Sequence, residues 1–237
     1  RNLPFMMIAS LPKSGTVYVQ EALSHGLRLP LVNVTAGHWP EKFLSPHLMK
    51  TLRGARAVGR GHVSPNPYNL TYLSRFLDRF VVHTRDPRAA LLSWVHYLRK
   101  LKEGDHPNLA FMTVPDDYYD RAFEDQVAWQ VTHRFPQMIA WFEQWLDVES
   151  DPGFAPDILF TRQEVLRDAP EAFFDEVLDF FGVDRGLFIY PQRPKAGSQH
   201  YRTGRTDEWR EAFSPEQSEA VTAAIPERLF ERFDWPR

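Results

Sequence analysis

The chain has 237 residues, 43% of them hydrophobic and 14% aromatic, with a formal net charge of −3 and a pI near 6.3. That length suits one generous domain, and the lack of a basic excess excludes a general nucleic-acid binder while leaving room for a local basic pocket that takes a small anion. Cysteine is absent, which excludes disulfides and thiolate metal sites and fits a reducing compartment.

Residues 4–11, PFMMIASL, form a nearly continuous apolar run that stops at Pro12-Lys13-Ser14-Gly15-Thr16; its length and flanks predict a buried strand. After Thr16, the apolar residues Val17, Val19, Ala22 and Leu23 suit a helix that Ser14 or Thr16 is placed to cap. RAVGRGH (56–62) predicts a second strand, and RFVVHTRDP (79–87) a third, stopped by Pro87. Apolar residues at 91, 92, 95, 98 and 101 then mark an amphipathic helix over 88–102. Residues 103–120, with a glycine, two prolines and several acids, read as a loop and a lid candidate. A helix is expected over 123–146 with Pro136 as a kink or boundary, a fourth strand over 156–162, and a helix over 170–184 that starts at Pro170 and ends before Gly182. The stretch 191–207 is basic and polar, and Ser214 caps a last helix over 214–225. Strands alternating with helices predict an α/β fold: one three-layer αβα domain over 1–237, with a mainly parallel central sheet. No apolar run approaches the length of a membrane span. A chain that opens at Arg1 without Met leaves room for a removed upstream segment.

The first strand, tight loop and helix make an anion site: backbone N–H groups and the helix dipole face the same point. Gly15 lets the backbone approach the anion, Ser14 and Thr16 add hydroxyl donors, and Lys13 adds a point charge. The order differs from the GxxxxGK[ST] of nucleotide triphosphatases, and an ordinary strand–helix turn with a surface lysine is the plainer alternative. Arg85 at the end of the third strand and Ser93, eight positions on, can converge on one phosphate. Arg202, Arg205 and Arg210 around Gly204 suit a cationic loop closing over a second phosphate, although single arginines are usually solvated. No His/Asp cluster has metal spacing and no GxSxG elbow is present.

LPKSGT (11–16) resembles the 5′-phosphosulfate loop of sulfotransferases that use 3′-phosphoadenosine 5′-phosphosulfate (PAPS). VVHTRDPRAALLSW (81–94) resembles that family's 3′-phosphate motif, with Arg85 and Ser93 at its spacing. RTGRTDEWR (202–210) is similar to its C-terminal Arg-Lys-Gly…Asp-Trp-Lys segment, and 161–183 resembles the stretch before and through its late helix. The resemblance spans about residues 5–215. It implies PAPS as donor, its desulfated form (PAP) as product, and no required metal. It places Pro12, Lys13, Ser14, Gly15, Thr16 and Val17 around the 5′ end of the donor. Arg85, Ser93, Arg202, Thr203 and Gly204 are placed around the rest of it. Thr203 departs from the family's lysine, Gln163 stands where a tyrosine near the adenine is expected, and the aromatic after the loop is shifted to Tyr18, so the adenine contacts stay unassigned.

Sulfonyl transfer needs a cation at the bridging oxygen of the leaving group and a base for the acceptor's proton. Lys13 is expected in the first role. Of nine histidines, His25, His38, His47 and His106 lie in loop-like surroundings, whereas His62 follows the second strand in GRGHVSP and resembles the family's basic-x-His; it is expected as general base, with Arg60 helping on the sulfonate. A structural histidine capping the strand is the bland alternative. The expected acceptor is an alcohol, a carbohydrate or a small or lipid hydroxyl, met by residues 31–47 (His38, Trp39) and 103–120 (Phe111, Tyr118, Tyr119), where a solvated acidic loop is the plainer reading of Asp116 to Tyr119. Nucleic acid is not expected as a partner, the expected location is cytoplasmic, and the oligomeric state is not legible. The rival readings are a P-loop small-molecule kinase, which would need GxxxxGK[ST] and a Mg²⁺-binding Asp, and a non-catalytic nucleotide-binding protein on the same fold.

Overall fold

The computed structural model describes residues 3–40, 42–192 and 205–237. In chain order the elements are β1 (Phe5–Ser10), α1 (Thr16–Leu27), β2 (Leu31–Asn33), β3 (Thr35–Ala36), β4 (Phe43–Leu44), α2 (Pro46–Leu52), β5 (Ala57–Gly61), α3 (Pro67–Phe76), β6 (Arg79–Thr84) and α4 (Pro87–Glu103). They continue as α5 (Phe123–His133), α6 (Phe135–Glu149), β7 (Asp157–Arg162), α7 (Gln163–Asp168), α8 (Pro170–Phe180), α9 (Trp209–Ala212), α10 (Pro215–Ala223) and α11 (Glu227–Phe233).

Five strands form one sheet in the order β2-β5-β1-β6-β7, and each pairing is parallel. Parallel strands carry helices on both faces and so bury both sets of side chains, which is why β1 reads as a continuous apolar run and is buried throughout. On one face Met6, Ile8, Val58 and Val81 pack with Val19 and Leu23 of α1 and with Phe173, Phe174 and Leu178 of α8. On the other, Phe80 meets Trp145 of α6 at 5.5 Å and Phe154 at 6.2 Å between ring centres. The architecture is the expected α/β one, with a parallel sheet between helices.

Some local expectations change. Neither Ser14 nor Thr16 caps α1: the N-cap is Gly15, with no side-chain bond. The strand expected second is β5; β2 and the β3–β4 hairpin precede it. Each of these runs two or three residues, too short for periodicity to register. The expected helix over 123–146 is two, separated at Arg134, with Pro136 in the first turn of α6, where its missing N–H costs nothing. Within 103–120 two short 3₁₀ turns form, and Tyr118 is not part of a solvated acidic loop: it is fully buried against Trp94 and Leu98, and Gln130 Nε2 donates to its hydroxyl at 3.2 Å. Ser214 caps α10 as expected, in a capping box with Gln217.

The chain divides into two compact units, Arg1–Arg85 with Gln144–Gly204, and Asp86–Glu143 with Arg205–Arg237. The second unit is organised around a buried ion pair. Asp86 caps α4 by accepting from the Arg88 N–H at 2.9 Å, and its carboxylate takes the Arg88 guanidinium in a bidentate grip of 3.0 and 2.7 Å. Arg88, fully buried, also donates to Thr222 Oγ1 at 3.2 Å and to the Pro236 carbonyl, and lies 4.2 Å over the Trp209 ring. The pair thereby ties the start of α4 to α9, α10 and the C-terminal segment. Arg88→Met strands a buried carboxylate, and urea unfolding is expected to show a loss of about 3–5 kcal/mol. A loss under 1 kcal/mol would mean that the pair is incidental.

Candidate active site

The sheet's topology locates the site. The chain leaves β1 for one edge of the sheet, through α1 to β2, and leaves β6 for the other edge at β7. The carboxyl ends of β1 and β6 therefore flank the switch in strand order, where open α/β sheets hold their ligands. The loop after β1 and Arg85 after β6 stand at that point, and Arg85 Nη1 donates to the Lys13 carbonyl at 3.0 Å.

Lys13 and Gly15 both adopt left-handed backbone, with φ of +70° and +76°. For a lysine this costs about 1–2 kcal/mol, and such strain persists where the surroundings enforce it; here the Arg85 bond holds the Lys13 peptide. The turn feeds directly into α1, whose first N–H groups have no partner in the helix. Glycine suits position 15: its φ is one that L side chains rarely adopt, and a Cβ there would lie 2.1 Å from Gln163 Oε1 and force that side chain to move. Ser14 is fully buried and Thr16 nearly so, and both hydroxyl oxygens are buried with no hydrogen-bond partner. Orphaned donors beside free helix N–H groups suit a tetrahedral oxyanion, so the turn fits the 5′ end of a phosphosulfate donor. Pro12 is buried before the turn and Val17 half-buried after it. Tyr18, the shifted aromatic, packs edge-on to Phe174 and donates to the Gln192 carbonyl at 3.4 Å.

The register of β1 on β5, Ala9 opposite Gly61, carries on to place His62 beside Ser10. His62 Nδ1 lies 3.1 Å from the Ser10 carbonyl and 3.2 Å from Ser10 Oγ. A carbonyl only accepts, so Nδ1 carries the proton and Nε2 keeps its lone pair. Burial, then the charge of Lys42, push the imidazole down to about 4; the Ser10 bond opposes this, while Lys13 and Arg60 add to it. His62 is thus a neutral imidazole whose charged form is disfavoured by Lys42, Lys13 and Arg60. Arg60 is exposed at the end of β5. Lys42 is half-buried, its amine held below the ordinary lysine range by burial and by Arg60.

A second histidine lies under the turn. His83 on β6 is fully buried, with Nδ1 at 2.9 Å from Thr161 Oγ1, Nε2 at 3.3 Å from Gln163 Oε1, and a hydrogen bond to the Ser14 backbone. Burial pushes it down to about 4, against the bonds to Gln163 and Ser14. In the unfolded chain it titrates near 6.5, so that chain binds the proton first and stability is lost as pH falls from about 6.5 towards 4. Fully expressed, the loss is about 3 kcal/mol for His83 alone. Urea midpoints between pH 7 and 4.5 should fall accordingly and His83→Gln should flatten the slope; an unchanged slope would contradict the buried neutral state.

Of the other expected residues, Ser93 lies half-buried on α4 in the second unit, and Arg202, Thr203 and Gly204 lie outside the described residues. His25, His38, His47 and His106 are exposed, whereas Trp39 is buried. No group of three metal-type ligands occurs among the described residues, and no helix among them is long and apolar enough to cross a membrane.

Comparison with known proteins places the fold. No family model matches the chain, and no curated protein matches it in sequence. Solved structures do match. The mouse sulfotransferase SULT7A1 complexed with PAP superposes with a TM-score of 0.64 at 15% identity, covering 98% of this chain and 88% of that one. The fold is that of the sulfotransferases. The sulfotransferase domain from the curacin biosynthetic pathway matches at 0.53 and 14% identity, over 95% of this chain and all of that one. A sulfotransferase from Alicyclobacillus acidocaldarius matches at 0.56 and 16%, over 99% of this chain and 97% of that one. Two residues of this candidate site escaped the sequence reading: Lys42, because its loop has no periodic signal, and His83, because a histidine inside an apolar strand reads as core; Gln163, noted in the sequence only as a departure near the adenine, is brought onto Gly15 by the fold.

Proposed function

We propose that the chain is a PAPS-dependent sulfotransferase that moves a sulfonyl group to an acceptor hydroxyl, glycan-like or on a small or lipid alcohol. The observation that carries this reading is the pairing of the orphaned Ser14 and Thr16 hydroxyls in the turn after β1 with a neutral imidazole whose Nε2 keeps its lone pair. PAPS supplies the activated group, a sulfonyl on the 5′-phosphate. The acceptor oxygen attacks sulfur as the sulfur–oxygen bond to that phosphate breaks. His62 Nε2 takes the acceptor's proton, and the imidazolium is held by the Ser10 carbonyl on Nδ1. The bridging oxygen leaves with the bonding pair as PAP, and Lys13 with the turn's donors meets its growing charge. Arg60 holds the sulfonate oxygens. The transferring group carries less charge than a phosphoryl group, so these donors serve without a metal.

Arg85 and Ser93 take the 3′-phosphate in this reading, and Arg202, Thr203 and Gly204 close over the donor. Residues 103–120 act as the lid over the acceptor, with exposed Phe111 as its apolar contact. PAPS arises in the cytosol, so the cytoplasm is the proposed location. Thermal unfolding separates this from the kinase reading. PAP at a hundredfold excess over its dissociation constant should stabilise the protein by about 2.7 kcal/mol, while ATP with Mg²⁺ leaves the midpoint unmoved. The reverse pattern would favour a kinase.

A further inference from the structure

Of the three cations whose charge bears on His62, the donor uses two. Lys13 and Arg60 are committed to the bridging oxygen and the sulfonate; Lys42 has no part in that scheme. Its position is nonetheless built. Asn69, fully buried at the start of α3, donates to the Lys42 and Ser64 carbonyls at 2.9 Å each and accepts from the Leu44 N–H at 2.9 Å. One amide thus fastens residue 42 to the segment that carries His62. Lys42 is the cation that weighs most on that imidazole and is itself opposed by Arg60. Among the described residues neither Lys42 nor Arg60 pairs its side chain with a carboxylate. Holding a half-buried lysine against an arginine costs free energy that no acid among the described residues offsets, and an anion at the site removes the cost.

We propose that Lys42 forms a second oxyanion subsite next to the base, and that it takes a carboxylate, sulfate or phosphate group that the acceptor carries close to its reacting hydroxyl. The acceptor class this names is an acidic or already sulfated or phosphorylated sugar, or a comparable hydroxy acid, in place of a neutral alcohol. The identity of the group as part of an acceptor rests on the sulfonyl-transfer reading; the anion site itself does not.

The alternative source of the anion is the donor's own sulfonate, and PAP and PAPS distinguish the two. The experiment titrates methanesulfonate, anionic at every working pH, into protein saturated with either nucleotide and follows the His62 ring resonance by NMR. The expected result is binding of similar strength with PAP and with PAPS. Lys42→Met and Lys42→Gln should weaken it at least about tenfold, the worth of one charge-assisted contact, and Lys42→Arg should retain it. PAP affinity should stay unchanged in all three variants. Binding seen with PAP but abolished by PAPS would assign Lys42 to the donor and overturn the proposal. So would binding indifferent to Lys42, or none in the wild type. If neither nucleotide binds while methanesulfonate still binds through Lys42, the sulfonyl-transfer reading falls and the anion subsite stands.

Discussion

Replacing Lys13 by asparagine should lower kcat by about 10²–10³, the usual cost of removing one group that meets charge developing in a transition state. Asparagine is the informative choice. Lys13 sits at φ +70°, and asparagine is among the few residues that tolerate that backbone, so the turn survives while the cation is lost. PAP contains the same 5′-phosphate in its ground state, so its affinity should fall less than kcat does. That asymmetry is what a leaving-group role requires, because an interaction strengthened in the transition state appears in kcat and a uniform one in binding alone. Equal losses in PAP affinity and kcat would make Lys13 a simple phosphate anchor.

The second large effect belongs to His62. His62→Ala should cost about 10²–10⁴ in turnover at saturating donor while leaving PAP bound. The pH profile carries its own signature. With its resting value near 4, the free imidazole is a base across the neutral range, and activity should decline only on the acid side. Saturating donor brings a sulfonate close to the ring, favours the charged form, and should move that acid limb above 4. His62→Ala should abolish the limb along with the rate. A variant with normal turnover and an unaltered limb would remove the base from the scheme.

The sequence made the site's backbone frame legible and left its wiring hidden. β1, the turn and α1 could be read because a buried parallel strand is a continuous apolar run and because Lys13-Ser14-Gly15-Thr16 concentrates donors at a helix start. Arg60 and His62 could be found because the residues that end a strand at a sheet's carboxyl edge are contiguous in the chain. Lys42 could not, since a bond network through Asn69, 27 residues away, places it. Nor could the His83–Thr161 contact across the paired β6 and β7, or the His83–Gln163 contact to the start of α7, which join residues 78 and 80 positions apart. The same reasoning explains Tyr118: its neighbours Asp116 and Asp117 make the stretch look solvated, and only packing on α4 reveals it as core.

A crystal structure with PAP bound tests the central claim most directly. The account predicts the 5′-phosphate cradled by the turn after β1, within hydrogen-bond reach of the Ser14 and Thr16 hydroxyls and the Gly15 N–H, with the His62 Nε2 edge facing the open side of that phosphate. PAP seated elsewhere, or a turn that stays empty at saturating PAP, would contradict it.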